Sequence, residues 1–214
     1  MKEILCFGDS NTWGYSALTK ERFPRDVRWP GVMRKELGDE YIILEEGLNG
    51  RTTVWEDPIE IDKNGYKHLG TCLQSHRPID LVILMLGTND LKIRFSVPAE
   101  DIAASVQVLC NMVLKSDCGP AGKAPGLLLV SPISVGNIED TELNWMFGKD
   151  SVYKAAQFPR LYARLAESLG CGFLNAADYA RPSQYDAIHF EPEGHKKLGI
   201  AMADKVRNIF NESN

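Results

Sequence analysis

Four runs of unbroken apolar residues punctuate the chain, at residues 4–7, 41–44, 81–86 and 127–130, with a weaker fifth at 172–174. None alternates cleanly between apolar and polar. A strand that is apolar at every position needs cover on both faces, which is the condition of a parallel sheet held between helices. Between the runs the spacing becomes helical. Residues 27–37 lead to Gly38, a natural stop. Residues 99–114 bring Ile102, Val106, Leu109 and Val113 onto one helix face. Residues 151–169 carry Phe158, Leu161, Tyr162 and Leu165 and end near Gly170, with Pro159 a candidate kink. Residues 192–210 open on Pro192 and Glu193, a favourable first turn.

Strands and helices in alternation predict an α/β fold, a flavodoxin-like three-layer sandwich around a central parallel sheet of about five strands. The length of 214 residues suits one domain, 1–214. Stretches 16–26, 52–65 and 117–126 read as loops. Residues 132–149 form a longer insertion, and Trp145-Met146-Phe147 within it is a candidate lid or contact surface.

Composition narrows the function. The net charge is −5 with both signs scattered, whereas a nucleic-acid partner favours a basic patch. The five cysteines, Cys6, Cys72, Cys110, Cys118 and Cys171, are odd in number and form no Cys-x-x-Cys pair, so they suggest neither a disulfide framework nor a zinc site. The chain enters its first strand at once, without a basic-then-apolar leader. No apolar run reaches the roughly 18 residues of a membrane span. These features point to a soluble, cytoplasmic protein with no membrane or nucleic-acid partner.

Parallel α/β sheets bind ligands beyond the carboxyl ends of their strands. Ser10 follows the first strand, Gly47-Leu48-Asn49-Gly50 the second, and Gly87-Thr88-Asn89-Asp90 the third. Asp186 and His189 lie between the fifth strand and the last helix. All four segments should face one edge of the sheet. A serine hydroxyl needs a histidine base, and that histidine needs a carboxylate to orient it. Ser10, His189 and Asp186 supply the three. An acyl intermediate also needs donors aimed at its oxyanion. The side chain of Asn89 and the backbone N–H groups of Gly50 and Ser10 are candidates.

Each element also has a plainer reading. Ser10 could cap the helix after the first strand. Asp9 reads as a turn former in preference to a metal ligand. Gly87–Asp90 could be a turn rich in caps, and Asp186 with His189 a surface pair. Trp13 could wall a substrate cleft or pack as a core aromatic. His195 reads as a solvated helix residue, and His68 and His76 as structural residues without partners.

The four segments together resemble the SGNH, or GDSL, hydrolase superfamily. Gly8-Asp9-Ser10 resembles its first block, Glu46-Gly47-Leu48-Asn49-Gly50-Arg51-Thr52-Thr53 its second, Gly87-Thr88-Asn89-Asp90 its third and Asp186-Ala187-Ile188-His189 its last. A narrower likeness joins Cys6–Gly14, residues 22–29, 48–53 and 81–92 to the arylesterase and acyltransferase branch. The resemblance implies a flavodoxin-like sandwich and ester hydrolysis through an acyl-serine, with no metal or organic cofactor. The substrates it implies are small acyl esters, chiefly acetyl, with some acyl transfer to alcohols or peroxide. It also implies a homo-oligomer whose neighbouring subunits help wall the site. Two positions depart from it. Asn11 stands where the family name has Leu, outside the triad, and altered packing is expected there. Asn49 stands where that branch often has a small hydroxyl residue, so it is a candidate substrate-binding position and acceptor preference does not carry over. A carbohydrate acetylesterase acting on xylo-oligosaccharides would share the same chemistry. A rival of another class is a non-catalytic flavodoxin-like module binding a nucleotide or flavin, in which Asp186 and His189 would have no task.

Overall fold

Alternate residues of β1 (Lys2–Gly8) enter two separate cores. Ile4 and Cys6 join Trp29, Met33, Leu198, Met202 and Val206 on one face of the sheet. Leu5 and Phe7 join Leu69, Ile102, Val106 and Tyr162 on the other. A strand with a core on each side is apolar at every position, which is why the runs do not alternate.

The computed structural model describes residues 1–212. Its sheet holds β1, β2 (Tyr41–Gly47), β3 (Leu81–Met85), β4 (Gly126–Ser131) and β5 (Gly172–Asn175). All neighbours are parallel, in the order β2-β1-β3-β4-β5. This is the flavodoxin-like doubly wound arrangement. Gly8 is in register with both Gly47 and Met85, so the chain leaves β1, β2 and β3 at one level. The winding reverses between β1 and β3, and their exits diverge there to open a crevice.

The helices in chain order are α1 (Ser10–Trp13), α2 (Trp29–Leu37), α3 (Gly65–His76), α4 (Ala99–Leu114), α5 (Asn144–Phe147), α6 (Asp150–Ala155), α7 (Phe158–Leu169) and α8 (Pro192–Glu212). Helices α2 and α8 cover one face, and α3, α4 and α7 the other. No helix among the described residues is long and apolar enough to cross a membrane. All five cysteines are free.

Three expectations change. The helix expected over residues 151–169 is two helices, and Pro159 lies in the first turn of α7, where its missing N–H breaks no helical bond. Helix α3, in the interval between β2 and β3, is anchored deeply by Leu69 and Leu73. His195 is fully buried, not solvated. The Trp29 N–H donates to its Nδ1 at 3.2 Å, and its ring packs edge-on against Phe23 and Phe190. Burial pulls its pKa down to about 3, so this ring is neutral near pH 7. His76 also has a partner, the Glu46 carboxylate at 2.8 Å.

Candidate active site

Strand β1 ends in a turn that allows no side chain at Gly8, where a Cβ would lie 2.1 Å from Thr12 Oγ1. Asp9 then caps α1, its Oδ1 accepting the Asn11 N–H at 2.9 Å. The capping task therefore falls to Asp9, and the Ser10 hydroxyl, at the first position of the helix, is not taken up by capping. Burial lifts the Asp9 carboxyl to about 6, against the Asn11 N–H and the charges of His189 and Arg51.

The second part comes from the loop between β5 and α8. Asp186 Oδ1 accepts the N–H groups of Ile188 and His189, each at 3.0 Å. Ala187, between them, takes a left-handed φ of 64°, a strained choice for a residue with a Cβ that lets one carboxylate oxygen reach both amides. Oδ2 lies 2.5 Å from His189 Nδ1, and His189 Nε2 lies 2.7 Å from Ser10 Oγ. A carboxylate beside Nδ1 fixes the proton on that nitrogen and leaves Nε2 to accept from the serine. Burial alone would raise Asp186. The hydrogen bond and charge of His189 and the two amides outweigh it and hold the carboxyl below its ordinary range.

The third part comes from the exits of β2 and β3. Gly50 has φ 80°, in the left-handed region that favours glycine. The next residue, Arg51, turns its guanidinium inward to donate to the carbonyls of Gly8, at 2.9 Å, and Glu46. Its carbon sits 4.0 Å over the Phe7 ring. Arg51 thereby ties the Gly50 loop to the end of β1, a task the sequence pattern does not reveal. Asn89 Nδ2 donates to the Arg51 carbonyl at 3.1 Å, which orients the amide and leaves its second N–H available. Neighbouring Asp90 is buried beneath, where it accepts from the N–H and hydroxyl of Thr53. Burial pushes its carboxyl up to about 7.

Ser10, His189, Asn49, Gly50 and Asn89 open onto one cavity of about 150 Å³. Its apolar wall is Leu143, Met146, Phe147 and Ile188. Two residues of the Trp145-Met146-Phe147 stretch therefore line the site, while Trp145 points out, 66% exposed. The polar wall holds Glu60 and Lys92 beside Asn49. Tyr15 also lines the cavity, its ring 4.6 Å from that of His189. Trp13 is not in the lining. Its backbone packs on Gly47, and the Arg22 guanidinium covers its ring at 5.0 Å, so the aromatic wall expected there is Tyr15 instead.

Behind the polar wall lies a cluster absent from the sequence reading. Arg94 reaches Asp57 at 2.5 Å and Glu60 at 2.6 Å, and Lys92 pairs with the same two carboxylates. Burial would raise Asp57, but Arg94, the amides of Ile59 and Glu60, and Lys92 bring it down to about 2. Among the described residues, no group of three or more His, Cys, Asp or Glu side chains could hold a metal ion.

The sequence profile of the GDSL-like lipase/acylhydrolase family matches residues 6–197. Among solved structures, a carbohydrate acetylesterase from Sinorhizobium meliloti is 38% identical, with a TM-score of 0.93 over 98% of this chain and 100% of that one. The M. smegmatis aryl esterase is also 38% identical, with a TM-score of 0.92 over 97% and 99%. A carbohydrate acetylesterase family member from Sinorhizobium meliloti is 36% identical, with a TM-score of 0.93 over 99% and 100%. No curated protein matches the chain.

Proposed function

The chain belongs to the GDSL-like lipase/acylhydrolase family and is a carboxylic ester hydrolase, and from that premise we propose that residues 1–214 act as one domain cleaving small acyl esters, chiefly acetyl, at Ser10. One observation carries the assignment. Ser10 Oγ, His189 and Asp186 form a continuous hydrogen-bonded line with steps of 2.7 and 2.5 Å. Ser10 Oγ attacks the ester carbon as its proton passes to His189 Nε2. The oxyanion is held by the second N–H of Asn89 and the backbone N–H groups of Gly50 and Ser10. The ester C–O bond breaks, and the departing alcohol takes the proton from His189. Water then gives a proton to His189 as it attacks the acyl-serine. The acid leaves, and Ser10 recovers its proton. The cavity, at about 150 Å³, is below the roughly 300 Å³ at which drug-sized pockets begin, which supports a short acyl group.

Hydrolysis of p-nitrophenyl acetate, butyrate and octanoate tests this. Rates should fall with chain length and vanish in Ser10→Ala. Full activity in that variant would move the nucleophile elsewhere. The flavin- or nucleotide-binding alternative gives way to the family assignment.

A second reading, deacetylation of a hydroxyl-rich alcohol such as a sugar, has its own support. Asn49 Oδ1 is buried with no hydrogen-bond donor among the described residues. Glu60 turns Oε2 to Lys92 and Arg94, while Oε1 lies beside Gly50 without a protein donor among the described residues. Two unmatched acceptors in the wall suit a substrate that brings hydroxyl donors. We also take the chain to form a homo-oligomer, because Trp145 and Ile93 expose apolar surface beside the cavity. Sedimentation at the monomer mass of 23.9 kDa would overturn that. Five free cysteines support a reducing, cytoplasmic location, which recovery in a secreted fraction would contradict.

A further inference from the structure

The residue after the nucleophile does more than pack. Asn11 is 2% exposed, and its side chain reaches across the site to the base loop. Its Oδ1 accepts the Phe190 N–H at 3.0 Å, and its Nδ2 donates to the Ile188 carbonyl at 3.2 Å. Those two residues flank His189 in sequence. One side chain, one bond away along the chain from Ser10, therefore grips the base loop on both sides of the base. The amide has no choice of orientation, since an N–H can only donate and a carbonyl can only accept.

The loop's other hydrogen-bonded anchors do not reach the nucleophile turn, and the Tyr15 ring, 4.6 Å from that of His189, adds a packing contact without a hydrogen bond. Asp186 holds the amides of Ile188 and His189. The Ser183 N–H donates to the His189 carbonyl at 2.7 Å, and the Gly136 N–H to the Ala187 carbonyl at 2.8 Å. These bonds shape the loop but leave its distance from β1 open. Asn11 supplies that distance, in parallel with the 2.7 Å contact that the reaction itself uses.

We propose that Asn11 is a positioning residue that sets the separation and angle of Ser10 and His189, an inference that rests on reading those two as the reacting pair. Proton transfer between them is steep in distance, and a displacement of about 1 Å can cost on the order of 10²-fold. The effect of losing Asn11 should fall on kcat and not on KM, because its side chain does not line the substrate cavity.

Asn11→Leu is the direct test, since Leu has the same branching and heavy-atom count but neither hydrogen bond. On p-nitrophenyl acetate it should lower kcat about tenfold or more while KM stays within about twofold. Inactivation by diethyl p-nitrophenyl phosphate, which phosphorylates the serine and releases p-nitrophenolate, should slow in parallel. Asn11→Asp keeps an acceptor for Phe190 but turns an oxygen on the Ile188 carbonyl, and should fall between the two. A folded Asn11→Leu enzyme with wild-type kcat and inactivation rate overturns the proposal, as does a rise in KM alone. If Asn11→Leu does not fold, Asn11→Asp decides: wild-type kcat overturns the proposal, and a lowered kcat at unchanged KM supports it. Ser10→Ala is measured alongside. Activity surviving there removes the nucleophile assignment and the proposal with it, whereas a dead Ser10→Ala with an unaffected Asn11→Leu breaks only the positioning role.

Discussion

Two sets of charged and polar side chains reach the same cavity, one through Ser10 and His189 and the other through Glu60 and Lys92, and they are built on opposite lines. Ser10, His189 and Asp186 form an open chain in which each group meets the next through one hydrogen bond. Asp57, Glu60, Lys92 and Arg94 form a closed cluster in which each cation meets both acids. An open chain that ends at a serine can pass a proton toward a bound ester. A closed cluster with two charges of each sign is balanced and has no such outlet. The same residue types thus serve as a relay on one side and as a fixed wall on the other. What separates them is connectivity, since both sets are largely buried.

The sharpest way to break this contrast is to invert the relay without changing its shape. In Asp186→Asn the new amide can offer His189 Nδ1 a donor. That forces the ring proton onto Nε2, where it faces the serine with the wrong polarity. We expect kcat to fall by about 10⁴ with the fold retained. If stopped-flow and steady-state assays find more than about a tenth of wild-type kcat, the open chain is not the route of the proton.

Next in size is the proposed oxyanion side. Asn89→Ala removes the amide that the Arg51 carbonyl orients, and kcat should fall by about 10² to 10³ with KM little moved. A change confined to KM would make Asn89 a substrate-binding residue and leave the oxyanion to the backbone N–H groups.

How much of this was legible differs between the two sets for a physical reason. The site around the relay could be read because a parallel sheet brings its strand ends to one edge. Ser10, Gly50 and Asn89 each follow an apolar run, and Asp186 and His189 lie between the fifth strand and the last helix, so the fold brings them to that edge. The cluster could not, because Asp57 and Glu60 lie in an irregular segment and Lys92 and Arg94 at a single short turn of 3-10 helix, where charge ordinarily means solvent. Nothing in their spacing says that Lys92 is almost fully buried. Tyr15 was hidden likewise in an irregular stretch. His195 does carry a signal: it stands three and seven residues before Leu198 and Met202, on the buried face of α8. Asn11 was expected to alter packing only, and no local pattern could show that Ile188 and Phe190 would come within reach of its amide.

The cluster can be tested on stability. Asp57→Asn leaves Arg94 and Lys92 with Glu60 alone. Breaking a buried pair from one side costs about 3–5 kcal/mol, and we expect about 3 here because Glu60 still serves both cations. Urea unfolding at pH 7 measures the loss, and kcat should change less than about threefold. The sign with pH follows from Asp57 itself, whose carboxyl drops from 3.8 to about 2 on folding. The stability it contributes is full above its unfolded pKa of about 4 and is lost as pH falls through about 2. Wild type should therefore lose stability over that acid window more steeply than Asp57→Asn. Equal slopes would mean that the cluster does not hold Asp57 ionised.

The smallest expected effect asks whether the wall reads the substrate or merely encloses it. Glu60, in the cavity wall, gives Oε2 to Lys92 and Arg94 and turns Oε1 toward Gly50. In Glu60→Gln the amide oxygen can still face the two cations, which turns the NH₂ group toward the cavity. An acceptor there becomes a donor. A hydroxyl-bearing ester such as glycerol monoacetate should lose about tenfold in kcat/KM, the order of one hydrogen bond to a charged group. Phenyl acetate, with no hydroxyl to offer, should change less than about twofold. Equal losses on both esters would trace the effect to a shifted wall, and the alcohol side of the site would then be read by shape alone. A loss confined to the hydroxyl-bearing ester would give the closed cluster a task in recognition and would favour the sugar-deacetylating reading over the aryl one. The buried Oδ1 of Asn49 stands in the same wall, so Asn49→Ala should reproduce that selectivity in weaker form, because a neutral acceptor gives a weaker hydrogen bond than a carboxylate.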